Sequence, residues 1–214
     1  MRKTEIFSKF KLFFIVFQLF ITVFCVNSFI IAQSQFSIGP IIGVNFSTFK
    51  GKDVKQLGGI SIQNGFNAGG FFNYKFAEPF SLQTEIVYTM KGANVLSYFY
   101  GEYSYIENYI EMPVLIKYHI PTGKIGLNLF TGPAFAINVL SRVEMVHENH
   151  STVFINDAKK FDLGLVFGGG IDFPVSIGVM DISFGYNTGL THLLVSERII
   201  NNVFSIIASY GFLF

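Results

Sequence analysis

The chain has 214 residues, of which 14% are charged and 17% aromatic, with 27 Phe and no Trp. Ordinary soluble domains carry about 25% charged residues, and a formal charge of +1 supplies no clustered basic surface for nucleic acid. The composition therefore excludes a nucleic-acid binder and argues against a fully water-solvated exterior.

Arg2, Lys3, Lys9 and Lys11 make a basic start, followed by an apolar run from Leu12 to Val26 that is broken by Gln18 and Thr22. That run falls short of the roughly 20 residues that a membrane-spanning helix needs. Ala32 precedes the polar Gln33-Ser34-Gln35, so the pattern predicts an export signal over residues 1–32, cleaved after Ala32, and a barrel domain over residues 33–214. Cys25 lies inside the signal, which leaves the mature chain without a thiol for disulfides, catalysis or metal binding.

Side chains on a strand point alternately to its two faces, so a period of two in apolar residues marks β structure. Eight such segments follow in order: Phe36–Phe49, Phe66–Phe76, Phe80–Gly92, Tyr105–Ile120, Ile125–Val139, Phe161–Phe173, Asp181–Leu190 and Phe204–Phe214. In the third, Leu82, Thr84, Ile86, Tyr88 and Met90 oppose Gln83, Glu85, Thr89 and Lys91. The last (FSIIASYGFLF) puts Phe204, Ile206, Ala208, Tyr210, Phe212 and Phe214 on one face. Short turns at Ala77–Pro79, Pro121–Lys124 and Pro174–Gly178 alternate with longer links at Lys50–Gly65, Ala93–Ser104, Leu140–Lys160 and Thr191–Asn202. This asymmetry is that of up-and-down membrane barrels. The expectation is an all-β, eight-stranded antiparallel transmembrane barrel of the outer membrane. The non-aromatic face is mostly Gly, Ala, Asn and Ser, which suits a crowded interior better than a solvated surface.

The charges on that second face are expected in the lumen as a polar network of Lys75, Glu85, Lys91, Glu107, Glu111, Lys117, His119, Asp162 and Asp172. Isolated charges in a low-dielectric interior must pair or stay hydrated, and an eight-stranded barrel is just wide enough for side chains to fill. Glu111 and Lys117 share a strand, so each needs a cross-strand partner such as Lys91 or Glu85. A narrow ion path is the functional alternative to a filled plug. Tyr210, Phe212 and Phe214 are expected to form the signal read during barrel assembly.

Two weaker constellations lie in the links. Glu144, His147, Glu148 and His150 have ligand types that suit a divalent cation, although a solvated loop explains them as well. His192, Ser196 and Glu197 are the residue types of a serine hydrolase near the outer leaflet, without a recognised spacing. Neither makes a site, so no catalytic, metal or cofactor-binding residue is assigned, and the chain reads as a non-enzyme. Gly168-Gly169-Gly170 has no following helix to cradle phosphate and suits close strand approach.

The segment Tyr109 to Tyr118 (YIEMPVLIKY) resembles the fourth-strand hallmark of the PorT-like outer-membrane β-barrel family of Bacteroidota. Gly43 to Ser47 (GVNFS), Thr131 to Phe135 (TGPAF) and Phe161 to Gly170 (FDLGLVFGGG) resemble it too. The resemblance implies fold and location, and one branch of that family is linked to a secretion system. The implied partners are outer-membrane lipids and lipopolysaccharide, the barrel-assembly machinery during insertion, and a surface or secretion partner. The leading expectation is a scaffold or surface-interaction protein; a secretion or transport component, a narrow channel and an outer-leaflet lipid hydrolase are the alternatives.

Overall fold

The computed structural model describes residues 35–52, 58–97, 101–122, 125–145, 152–154, 159–175, 177–192 and 199–214; the expected signal segment lies outside them. Nine strands follow in chain order: β1 (Phe36–Gly51), β2 (Gly59–Ala77), β3 (Phe80–Ser97), β4 (Gly101–Pro121), β5 (Gly126–Met145), β6 (Thr152–Phe154), β7 (Phe161–Val175), β8 (Gly178–Gly189) and β9 (Ile199–Leu213). Every pairing is antiparallel. β1 pairs with β2 and β9, β4 with β5, and β5 with β7, so eight strands close a ring. The ninth, β6, pairs with β5 alone, Arg142 opposite Phe154 through Glu144 opposite Thr152. The ring is the expected eight-stranded barrel. The seam runs from Ser37 opposite Leu213 to Gly51 opposite Ile199, and the Phe214 N–H donates to the Phe36 carbonyl at 3.0 Å.

The long links are shorter than expected, because the strands continue through most of them. β2 starts at Gly59, with Gly59 opposite Leu96, and the β3–β4 ladder reaches Ser97 opposite Gly101. β5 runs on to Met145 after a one-residue bulge that sets Asn108 opposite Leu140 and Tyr109 opposite Asn138. The sequence marks these stretches by a loss of apolar alternation. That loss reports a change of solvent outside the strand, since the backbone ladder persists where the outer face meets water and the inner face stays buried, as Ala93 and Val95 do.

Apolar side chains point outward and polar ones inward. Ile42 and Ile86 are each 65% exposed, whereas Asn45 and Asn128 are 1% exposed. Water would penalise so continuous an apolar exterior; hydrocarbon does not. Outward aromatics gather at two levels. Near the short turns, Phe36 stacks on Phe72 and Tyr74, Phe80 packs between Phe76 and Tyr118, and Tyr210 meets Phe212 edge-on. Towards the other end lie the pairs Phe46–Phe204, Phe184–Phe204, Phe66–Tyr88 and Phe167–Tyr186. From Phe36 to Phe46, about 3.3 Å per residue and a tilt of about 40° give a rise of about 25 Å, the height of an outer-membrane apolar band.

Candidate functional site: the charged lumen

Inward positions are fixed by the period of two, so each strand delivers its charges to the lumen at set heights. A cavity of about 380 Å³ opens at the short-turn end, with Asn73, Ser81, Gln83, Lys117, His119 and Asp172 among its lining residues. Above it lies a chamber of about 60 Å³ lined in part by Glu85, Lys91, Glu111, Phe130 and Asn187. Gln83, Lys117, Asp181 and Ser209 line both, so the two spaces adjoin there.

At the mouth, Ser81 Oγ lies 2.9 Å from His119 Nε2, and His119 Nδ1 lies 3.2 Å from Asp172 Oδ2. This array has the order of a nucleophile, base and orienting acid. Ser81 has no exposed surface, and in this arrangement the three residues tie β3, β4 and β7 together. Asn128 Nδ2 bridges Asp172 Oδ1 at 3.0 Å and Asp181 Oδ2 at 2.7 Å. Lys117 Nζ stands 3.8 Å from Asp181 Oδ2 and 5.9 Å from the Phe130 ring centroid. Gln83 Nε2 donates to Glu85 Oε1 at 2.6 Å.

Higher up, Lys91 forms a buried ion pair with Glu111, and its Nζ lies 5.2 Å over the Tyr109 ring. Asn187 Nδ2 donates to the other Glu111 oxygen at 2.8 Å. Glu107 Oε2 accepts from Asn201 Nδ2 at 2.7 Å and from the Tyr109 hydroxyl at 3.2 Å. The Thr191 hydroxyl donates to Asp162 and accepts the Leu163 N–H at 3.0 Å.

One residue of the expected network sits elsewhere. Lys75 lies at the rim, 44% exposed along its side chain, and pairs with Glu78 of the adjacent turn at 3.0 Å. The end of β2 has run out of barrel there, so alternation still aims Lys75 inward while water reaches it. Lys117 pairs with Asp181 rather than with the expected Glu85. Asp181 is inward by its alternation yet absent from the expected network, as are Asn128, Asn187 and Asn201. An inward apolar layer is a further departure from the expectation. Ile41, Phe71 and Val87 cluster with Ile207 against one side of the lumen, and Phe49, Ala93 and Ile199 cluster with Ile60 and Tyr105 near the long-link end.

Of the loop constellations, Glu144 pairs with Arg142 at 2.7 Å, and His147, Glu148 and His150 lie outside the described residues. His192 is described; Ser196 and Glu197 are not. Among the described residues no group of three or more His, Cys, Asp or Glu could hold a metal ion. Phe212 and Phe214 face outward, 42% and 71% exposed, with Tyr210 half-buried beside them.

Residues 31–195 match the family model described as "Outer membrane protein beta-barrel domain". Comparison with curated proteins gives no match. Among solved structures, the chain is similar to the outer membrane protein OprG from Pseudomonas aeruginosa, at 12% identity and a TM-score of 0.51 over 84% of this chain and 95% of that one. It is also similar to Neisserial surface protein A, at 12% identity and a TM-score of 0.50 over 83% and 97%. These likenesses show the fold.

Proposed function

The chain belongs to the outer membrane protein β-barrel domain family, and from that footing we propose a non-enzymatic surface scaffold whose long-link end meets surface partners or lipopolysaccharide. The supporting observation is the height of the wall. β2, β3, β4 and β5 run well past the upper aromatic level, to Gly59, Ser97, Gly101 and Met145, and so carry a rigid rim beyond the bilayer. In barrels of this kind the short turns are periplasmic and the longer links external, which makes that rim the external face.

Three finer readings go with the proposal. Residues 1–32 are a signal removed on export, and Tyr210, Phe212 and Phe214 engage the assembly machinery. The chain falls in the PorT-like outer-membrane β-barrel family of Bacteroidota, for which the fourth-strand segment is the main support. Tyr109, Glu111 and Lys117 of that segment are the residues that meet the lumen network.

The deciding experiment is a pulldown of the tagged full chain from gently solubilised outer membranes, with rim charges altered at Lys52 and Glu102. Recovery of a surface protein or lipopolysaccharide that is lost with the rim variants supports the scaffold. Recovery of a multi-protein translocation assembly, unaffected by the rim variants, replaces it with a secretion role.

A further inference from the structure

The lumen holds more negative than positive charge. Glu85, Glu107, Glu111, Asp162 and Asp181 are all less than one-tenth exposed and Asp172 is partly so, against Lys91 and Lys117 as buried lysines and His119 at the mouth. Glu107 and Asp162 take their hydrogen bonds from neutral groups, Asn201, Tyr109 and Thr191. Buried carboxylates in this number call for mobile counter-cations or for water.

There is room for both along one side. The layer of Ile41, Phe71, Val87 and Ile207 belongs to β1, β2, β3 and β9. The facing wall of β4 and β8 brings Glu111, Lys117, Asp181, Ser183, Gly185 and Asn187 to the chamber. At 10–15 Å³ per water, the 60 Å³ chamber takes about four to six waters, and it adjoins the open mouth at Lys117 and Asp181. The far end is different: Phe49, Ala93 and Ile199 are buried against one another with Ile60 and Tyr105 beside them. Carboxylate rings favour cations, and apolar constrictions gate by dewetting.

We propose that the lumen is a cation path, entered by water and small monovalent cations from the short-turn mouth and shut at the long-link end by the Phe49–Ala93–Ile199 cluster. This goes beyond the scaffold reading and does not depend on it, since the gate faces inward and the rim outward. Phe49 and Ile199 come from neighbouring strands of the seam, with Gly51 opposite Ile199, so trimming both removes the apolar bulk from one side of the cluster without touching an ion pair.

The test is single-channel recording of the refolded full chain in planar bilayers under a KCl gradient. Wild type is expected to stay closed, and Phe49→Ala/Ile199→Ala to pass current at least about tenfold above it, with a reversal potential of cation sign. Adding Glu107→Gln and Asp162→Asn should reduce that selectivity. Heat-modifiable migration on gels establishes folding for each variant, and Phe49→Ser alone takes the place of the double variant, with the same expected currents, if the latter does not fold. A folded variant no more conductive than wild type, a wild type as conductive as the variant, or an anion-sign reversal would overturn the proposal.

Discussion

Lys91 on β3 and Glu111 on β4 form an ion pair inside the wall, their side chains 4% and 7% exposed. Glu111 also accepts from Asn187 on β8, 76 residues away in sequence, so one carboxylate binds two sides of the barrel. Removing one partner of such a pair strands a buried charge, at a cost of about 3–5 kcal/mol, while an apolar replacement of both is often neutral. Glu111→Leu should therefore lower stability in urea titrations of the protein in lipid vesicles by about that amount. Lys91→Met/Glu111→Leu should recover most of it, short of about 1–3 kcal/mol for the Asn187 donor left without its acceptor. A double variant as unstable as the sum of the singles would mean the two residues act independently.

Facing is tested by two substitutions of opposite kind. Ile116 is 53% exposed and points to lipid, two residues inward of Tyr118 in the lower aromatic level. Arg there, between interface and midplane, should cost about 1–3 kcal/mol, between the interfacial and midplane values. Gly168 points inward, where an added Cβ would meet the Phe184 carbonyl oxygen and lie 2.5 Å from Cζ of Phe130. Backbone cannot yield as a side chain can, so Gly168→Ser should already impair folding, and Gly168→Arg should abolish it. If Ile116→Arg leaves heat-resistant folding in detergent unchanged, the lipid-facing assignment fails.

Alternation makes the wall legible, because facing depends only on neighbours two apart. Glu107 and Glu111 can be placed inside from the alternation of their own strand. Their partners cannot, since Asn187 with Glu111 and Asn201 with Glu107 are 76 and 94 residues apart, and strand tilt sets which heights meet. The apolar inward residues Ile41, Phe71 and Phe130 are hidden by the same logic: an apolar residue on the polar face of an alternating strand reads as noise until its neighbours across the lumen are known. The outer strand halves are hidden for another reason. Beyond the bilayer, water on the outer face removes the pressure to keep that face apolar, and β6 at three residues is too short to show any period.

Orientation in the membrane is open to direct chemical test. Lys52 lies just past the end of β1 at the long-link end, and Thr122 lies at the turn after β4; both are exposed. The natural thiol, Cys25, falls in the segment expected to be removed on export. Cysteine at Lys52 should label with impermeant maleimide on whole cells, whereas cysteine at Thr122 should label only after the outer membrane is breached. Labelling of Thr122→Cys on intact cells would invert the barrel.

The two aromatic levels make a quantitative claim about depth, and the absence of tryptophan from the chain supplies a clean background for measuring it. Ile42 is outward-facing between Phe36 and Phe46, the residues that mark the lower and upper levels on β1. Leu96 is 60% exposed near the end of β3, eight residues beyond Tyr88 of the upper level. At about 3.3 Å per residue and a tilt of about 40°, eight residues lift it about 20 Å above that level. Single tryptophans at these positions should report different surroundings in vesicles of lipids brominated at defined acyl depths. Ile42→Trp should emit in the blue and be quenched most by bromines deep in the chains. Phe46→Trp should respond best to shallow bromines, as befits an interfacial girdle. Leu96→Trp should emit further to the red and escape acyl-chain quenching altogether, because the rim on which it sits stands in water. Quenching of Leu96→Trp as strong as that of Ile42→Trp would place the upper strand halves within the bilayer and remove the external rim on which surface contact is proposed to rest.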